Sequence, residues 1–318
     1  MEADHLSHGR EKYQRLIERA ASAGSIAVAV AHPCDEVSLE GAVQAARMKL
    51  IRPILVGPAA RMREIASKHD IDIAGIPLVD AAHSHDSAEK AVAIVRKGEA
   101  EALMKGSLHT DELMSAVVAR ESGLRTARRL SHCFVMDVPG HADALVITDA
   151  AVNIAPTLAE KADIVQNAID LARALGAVQP RVAILSAMET VNPKVPSTID
   201  AASLCKMADR GQITGGVLDG PLALDNAISP EAAKSKGIVA AVAGRANILV
   251  VPDLEAGNML AKSLSFLAGA DSAGIVLGAR VPIILTSRAD SLIARCASCA
   301  IAALLAAARR GNPAAALA

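Results

Sequence analysis

Aromatic side chains are nearly missing from this chain: among 318 residues there is no Trp, one Tyr (Tyr13) and two Phe (Phe134 and Phe266). Stacking on nucleic-acid bases is thereby excluded as a binding strategy. Charge of one sign is equally scarce. Lys and Arg number 33, Asp and Glu 34, and no long block of either sign occurs. A general polyanion-binding surface is excluded, whereas a local anion pocket is not. The cysteines are few and odd in number, at 34, 133, 205, 296 and 299, which argues against a disulfide framework. Cys296-Ala-Ser-Cys299 is a lone CxxC in an Ala-rich stretch without a second ligand pair, and reads as two small core side chains rather than a zinc or redox site. Long apolar runs are absent too. The longest, Cys296 to Ala308, falls short of the ~20 residues that cross a bilayer. The opening "MEADHLSHGREKYQRL" is polar and mixed in charge, unlike a secretory signal. These absences predict a soluble, cytoplasmic protein with no nucleic-acid, membrane or metal partner.

What is present is aliphatic. Hydrophobic residues make up 52% of the chain, so Ala, Val, Ile, Leu and Met must build the core. The length suffices for two domains. Short β-branched runs alternate with helical patterns: "SIAVAVA" (25–31) precedes a helix over 35–50, "PILVG" (53–57) precedes "PAARMREIASKH", and "AEKAVAIVRKG" precedes "EALMKG" (101–106). This alternation predicts parallel sheet covered on both faces. Near 125–130 the pattern changes. "SHCFVMDV" and "ADALVITDAAVN", separated by Pro139-Gly140, predict a hairpin or paired edge strands. Alternation resumes with a helix over 157–176, strands over 181–187, 213–220 and 246–253, a helix over 255–267, and strands over 273–278 and 281–287.

In parallel α/β sheets ligands sit beyond the C-terminal strand ends, where backbone N–H groups and helix N-termini converge. Four junctions of this kind stand out. In "ALMKGSLHTDEL" (102–113), Gly106 permits close backbone approach while Lys105, Ser107, His109 and Thr110 crowd polar groups at a helix start. The segment either cradles an anion or is a plain loop capped by Thr110 or Ser107. In "VVPDLEAGNML" (250–260), Gly257-Asn258 inside a helical pattern marks either a packing or ligand contact or, as the stronger reading, an exposed first turn. In "LDGPLALDNAISP" (218–230), Asp219 and Asp225 lack accompanying His or Cys, so capping and turn roles outweigh a metal site. In "PIILTSRADSLIARCASC" (282–299), Ser287 and Asp290 have capping-box spacing, as do Thr157…Glu160 and Ser197…Asp200. Arg288 is the odd element there, because a cation in a first helical turn opposes the helix dipole and so answers to an anion. Arg125, Arg128 and Arg129 form a further basic cluster, either one helix face that meets a phosphate or a solvated boundary.

Together these runs resemble the phosphate acetyl/butyryltransferase family. The match lies in "LMKGSLHT", "RRLSHCFVMDVPGHADALVITDAAVNIAPT", "VNPKVPSTIDA", "DGPLALDNAIS", "VVPDLEAGN" and "AGADSAGIVLGARVPIILTSRADS", collinear from Leu103 onward. "MKG", "VNPK" and "TSRADS" look closer to the butyryl branch. The resemblance implies two three-layer α/β domains around an active-site cleft, of the isocitrate/isopropylmalate dehydrogenase type: residues 1–129 plus 287–318, and 130–286. It implies reversible transfer of a short acyl group between coenzyme A and inorganic phosphate, in a ternary complex without an acyl-enzyme. Coenzyme A is then a substrate, no cofactor is tightly bound, and the partners are acyl-CoA, phosphate, acyl phosphate and a second copy of the chain in a homodimer.

By the same resemblance Arg288 holds and neutralises phosphate, and Ser287 hydrogen-bonds near the reacting carbonyl or thiol. Lys105, Gly106, Ser107, His109, Thr110 and Asn258 contact phosphate or coenzyme A. Two departures stand against the acetyl branch. A catalytic Asp about two turns beyond the Ser-Arg pair is replaced here by Ala294 and Arg295, leaving Asp290 as base or cap. A substrate-binding Arg has no basic counterpart near 114–117, where Lys105 is the compensating candidate. The missing Asp keeps open a catalytically silent coenzyme A-binding subunit. The shared fold type keeps open a metal- and NAD-dependent decarboxylating dehydrogenase, for which no convincing Asp cluster exists.

Overall fold

A computed structural model describes residues 11–287 and 290–311. The chain first forms α1 (Glu11–Ala23), β1 (Ile26–Ala31), α2 (Glu36–Arg47), β2 (Ile51–Gly57), α3 (Ala59–Lys68), β3 (Leu78–Asp80), α4 (Ser84–Arg96), β4 (Ala102–Lys105) and α5 (Thr110–Val118). Then follow β5 (Ser131–Asp137), β6 (Leu145–Thr148), α6 (Leu158–Ala174), β7 (Arg181–Leu185), α7 (Pro196–Asp209), β8 (Val217–Leu222), α8 (Leu224–Ile228), α9 (Pro230–Ser235), β9 (Ile248–Val250) and α10 (Leu254–Leu267). The described chain closes with β10 (Asp271–Leu277), β11 (Ile283–Ile284) and α11 (Leu292–Gly311). It divides into two compact units: Tyr13–Arg128 with the chain from Ala273 onward, and Arg129–Ser272 with the chain before Tyr13.

In the first unit the strands lie in the order β3-β2-β1-β4-β11-β10. All neighbours run parallel except β10 and β11, so the expected parallel sheet carries an antiparallel pair. The uninterrupted apolar run "IAVAVA" suits β1, which is paired on both sides and almost wholly buried. α2 starts where Asp35, in extended backbone, accepts the Ser38 N–H at 2.8 Å. α4 packs on β1 and β2, and α2 packs on β2. β11 is shorter than the expected 281–287. Pro282 has no N–H for a ladder, although its carbonyl accepts from Leu103 at 3.1 Å.

The helix α11 exceeds the apolar stretch read from the sequence. With 20 residues and a mean hydropathy of 1.7 it is long and apolar enough to cross a membrane, yet 72% of that window is buried inside the fold. It packs on α2 and β11. Cys296 and Cys299 both lie within it as buried side chains. Burial pushes the Cys296 thiol up to about 11 and that of Cys299 higher still.

In the second unit the order is β5-β6-β9-β7-β8, with β5 and β6 forming the expected antiparallel hairpin and the remaining pairs parallel. Met136, Leu145, Ile147, Leu185, Leu222 and Leu249 anchor its core, an aliphatic assembly as the composition requires. Thr157 and Glu160 form a capping box, the Glu160 carboxylate accepting the Thr157 N–H at 2.9 Å. Ser197 and Asp200, at the same spacing, do not. α7 begins at Pro196, which needs no N–H partner, so Ser197 lies inside the first turn and its hydroxyl meets Ser186 Oγ at 2.8 Å. Asp200 instead pairs with Lys161 at 2.7 Å. β8 starts later than expected because Gly215 turns through φ +83° before the chain extends. Nor do Arg125, Arg128 and Arg129 share a helix face. The segment is not helical, Arg125 bridges to Ala279, and Arg129 spends its guanidinium on Glu160 at 3.0 Å and Asn153 at 2.7 Å.

A polar knot fixes the loop after β6. The buried Asp149 carboxylate accepts the backbone N–H groups of Ala151 (2.9 Å), Val152 (3.0 Å), Asn153 (3.3 Å) and His132 (3.2 Å), and the Asn153 amide at 2.5 Å. The His132 ring is buried edge-on against Phe134, with centroids 4.3 Å apart, and burial holds it neutral well below the ordinary histidine range. Below pH ~6.5 the unfolded chain therefore binds a proton that the native fold refuses, and stability falls with pH. His132→Leu is expected to flatten the fall in denaturation midpoint between pH 7 and 5 by about one proton, leaving the contribution of His32, which burial also lowers. An unchanged slope would contradict this assignment.

Candidate active site

In the first unit the chain leaves β1 for β2 and β3 on one side, then crosses to β4 on the other. The strand order thus reverses between β1 and β4, the place where open α/β sheets form a crevice at their C-terminal ends. β11 runs parallel to β4, with Ile283 opposite Leu103 and Ile284 opposite Met104. Three parallel strands consequently deliver the residues that follow them to one edge: 32–35 after β1, 106–109 after β4 and 285–287 after β11. α2 and α5 begin immediately after the first two loops, so their N-terminal ends, with the positive ends of their dipoles, lie at the same end.

Backbone contact welds the first two loops together. The Gly106 N–H donates to the Ala31 carbonyl at 2.8 Å. A Cβ at Gly106 would stand 2.4 Å from that oxygen and 2.5 Å from the His32 carbonyl, so only glycine fits. Ser107 donates both its N–H (2.9 Å) and its hydroxyl (2.8 Å) to the His32 carbonyl, and its Oγ accepts from the Cys34 N–H at 3.2 Å. Lys105 turns its ammonium onto the Gly106 carbonyl at 3.2 Å. The N-cap of α5 is His109, neither Ser107 nor Thr110. Its N–H is held by the Glu112 carboxylate at 2.8 Å, and Thr110 is the first helical residue. Hydrogen bonds from Ser84 and His109 keep the Glu112 carboxyl below its usual range.

His32, which the sequence motifs did not single out, sits at the centre of this edge. It is half-buried and adopts a left-handed φ of 56°, a conformation that histidine tolerates better than most residues. Its Nδ1 lies 3.0 Å from Ser87 Oγ, and that hydroxyl donates to the His83 carbonyl at 2.8 Å. The single hydroxyl proton being so used, Nδ1 must carry the imidazole proton, and Nε2 is left as an acceptor. Burial first, and Arg61 second, keep the ring neutral at pH 7. Beside it burial raises the Cys34 thiol to about 11, which makes it a poor nucleophile.

Along the third loop, Ser287 and Asp290 close a tight turn. The Ser287 N–H donates to the Asp290 carboxylate at 2.6 Å and the Asp290 N–H to the Ser287 carbonyl at 3.3 Å. The helix itself starts at Leu292, and Ser291 Oγ accepts the Ala294 N–H at 3.2 Å. The Ser287…Asp290 spacing thus builds a turn ahead of α11, while Ser291 acts at its start. Ser287 is exposed. Arg288 lies outside the described residues.

The remaining candidates sit in the second unit. Asp253 caps α10 by accepting the Ala256 N–H at 2.9 Å. A Cβ on Gly257 would lie 2.9 Å from the Asp149 carbonyl, so this glycine answers to packing. Asn258 donates its amide to the Ala150 carbonyl at 3.2 Å. Asp219 accepts the Gly220 N–H at 2.9 Å and burial raises its carboxyl. Asp225 lies in the first turn of the five-residue α8.

Comparison with known proteins draws on most of the chain. The phosphate acetyl/butaryl transferase family matches residues 83–303, from the start of α4 into α11. A phosphate acetyltransferase of Rhizobium meliloti is 65% identical over 306 residues, 96% of this chain and 97% of that protein. A phosphate butyryltransferase of Clostridium beijerinckii is 41% identical over 297 residues, 93% of this chain and 98% of the other. Greater identity thus falls on a protein of acetyl name, although several motifs look butyryl-like. Among solved structures, a branched-chain phosphotransacylase from Enterococcus faecalis V583 superposes with a TM-score of 0.77 at 32% identity, covering 88% of this chain and 99% of its own. A 4-hydroxythreonine-4-phosphate dehydrogenase from Klebsiella pneumoniae reaches 0.53 at 13% identity over 89% and 99%, a likeness of fold alone. The glycine-welded edge and Ser287 fall inside a match that spans both units, and the chain belongs to the phosphate acetyl/butaryl transferase family.

Proposed function

We propose that this chain catalyses reversible transfer of a short acyl group between coenzyme A and inorganic phosphate in a ternary complex, with Ser287 and Arg288 at the reacting atoms. The observation that supports the reading most directly is the parallel pairing of β4 with β11, which sets the Gly106 loop and the Ser287–Asp290 turn side by side. Phosphate and acyl phosphate are anions, and the N–H groups at the starts of α2 and α5 offer them a positive field. A thiol of pKa ~8.5 is mostly protonated at neutral pH, so attack by coenzyme A benefits from that field and from a proton acceptor. Asp290 is engaged with the Ser287 N–H, whereas Nε2 of His32 is left as an acceptor.

Positioning and charge complementarity then supply most of the rate, without an enzyme nucleophile. In keeping with this, Cys34 by the Gly106 loop carries a raised pKa. Lys105, Gly106, Ser107, His109 and Thr110 would line the phosphate end, and Asn258 would contact coenzyme A. The reading also takes the fold as one of the isocitrate/isopropylmalate dehydrogenase type, in line with the dehydrogenase likeness, and the protein as a cytoplasmic homodimer.

Release of free thiol from acetyl-, propionyl- and butyryl-CoA, with and without phosphate, tests the proposal. Phosphate-dependent release from at least one of them is expected. Binding of coenzyme A without such release would favour a silent subunit. The acyl preference itself turns on a few apolar contacts, each methylene being worth only ~1–3 kcal/mol.

A further inference from the structure

Arg295, about two turns beyond Ser287, is 3% exposed in the first turn of α11. A buried guanidinium loses its hydration and keeps its charge only where several acceptors replace water. Here three backbone carbonyls do so. Nη1 donates to Val37 at 3.1 Å; Nη2 donates to Ser287 at 2.9 Å and to Asp290 at 2.9 Å. Val37 lies in the first turn of α2, just beyond the loop after β1. Ser287 and Asp290 bound the turn after β11. One side chain therefore ties two of the three loops at the strand ends. The stem that reaches across passes over Gly41 of α2, where an added Cβ would come within 3.1 Å of Arg295 Cδ. The planar fork matters. Lysine offers one point of charge on a flexible stem and cannot span carbonyls contributed by two elements in the same way.

We propose that Arg295 is a positioning residue for acyl transfer: it ties the backbone carbonyls of Ser287 and Asp290 to the start of α2 and so fixes where Ser287 meets its substrates. The proposal rests on the reading of Ser287 and Arg288 as the reacting pair. The role is the reverse of a base. Asp35, Asp290 and Glu40 are the acidic groups whose fields favour its charge, against desolvation that lowers its pKa.

Steady-state kinetics on the full chain test this with Arg295→Gln, Arg295→Lys, Gly41→Ala, Arg288→Ala and the double variant Arg288→Ala/Arg295→Gln. A displacement on the order of 1 Å at reacting groups costs about a hundredfold in rate. Arg295→Gln is accordingly expected to lower kcat about a hundredfold with KM for acyl-CoA and phosphate moving far less, and Arg295→Lys to restore only a small part. If Arg288 is the group being positioned, the double variant should be no slower than Arg288→Ala alone. Should Arg295→Gln not fold, Arg295→Lys and Gly41→Ala carry the test, the latter nudging the stem without removing the cation; both should lower kcat in folded protein. Wild-type kcat in the Arg295 variants beside an inactive Arg288→Ala would overturn the positioning role, as would fully additive losses in the double variant. Near-normal turnover in Arg288→Ala, by contrast, would overturn the underlying Ser-Arg reading and not this inference alone.

Discussion

Arg288→Ala is expected to lower kcat/KM for phosphate by roughly 10²–10³-fold, the usual loss when one preorganised group facing developing charge is removed. The melting temperature should stay within a few degrees of the parent, because the neighbouring turn has its own ties: the Ser287 N–H on Asp290, the Ser287 carbonyl on Arg295 and the Ser291 hydroxyl at the start of α11. Initial rates at varied phosphate and acyl-CoA, with a thermal melt of each preparation, separate the two effects. Arg288→Lys should recover part of the activity, since a point charge attracts phosphate but does not bind it through two parallel hydrogen bonds. Ser287→Ala should fall less than Arg288→Ala, a hydroxyl contributing one neutral hydrogen bond where the guanidinium contributes a charge. Near-normal turnover in Arg288→Ala would remove the phosphate role from that residue and leave the strand-end loops without their principal cation.

Much of this organisation was legible in the sequence because the relevant signals are local. Buried parallel strands read as continuous apolar runs rich in β-branched residues, and β1, β2 and β7 fall where such runs occur. Gly106, with its crowd of polar neighbours, marked a close backbone approach before any partner was known. What stayed hidden depends on partners distant in the chain. His32 gains its meaning from Ser87, 55 residues away, and Arg295 from Val37, 258 residues away. Neither spacing leaves a pattern. Capping boxes show the converse failure. Thr157…Glu160, Ser197…Asp200 and Ser287…Asp290 share one spacing, but only the first caps a helix, since Pro196 starts its helix early and Ser291 takes the cap position at α11. One local signal was missed outright: Tyr13, Leu16, Ile17 and Ala20 are the buried face of α1 at helical intervals, inside a segment whose mixed charge drew the eye.

Gly106→Ala should be among the most damaging single-methyl additions in the described chain. The obstacles are the Ala31 carbonyl oxygen at 2.4 Å, the His32 carbonyl oxygen at 2.5 Å and the His32 carbonyl carbon at 2.6 Å, all backbone, so no side chain can swing aside. Relief requires β4 to part from β1 at its C-terminal end. That would break the Gly106 N–H bond to Ala31 and both Ser107 bonds to His32, at 2.8, 2.9 and 2.8 Å. Overpacking against main chain together with lost buried hydrogen bonds amounts to about 2–4 kcal/mol, a large share of the stability of a typical domain. The loop that begins α5 would shift with it, so turnover in the folded fraction should fall by about a hundredfold or more. Urea denaturation gives the first quantity and initial rates on still-folded protein the second. The two need not move together. A destabilised variant with full activity per folded molecule would show that the close approach serves the fold alone and that this loop does not contact the reactants. A stable, inactive variant would place the loop at the phosphate and the strain elsewhere.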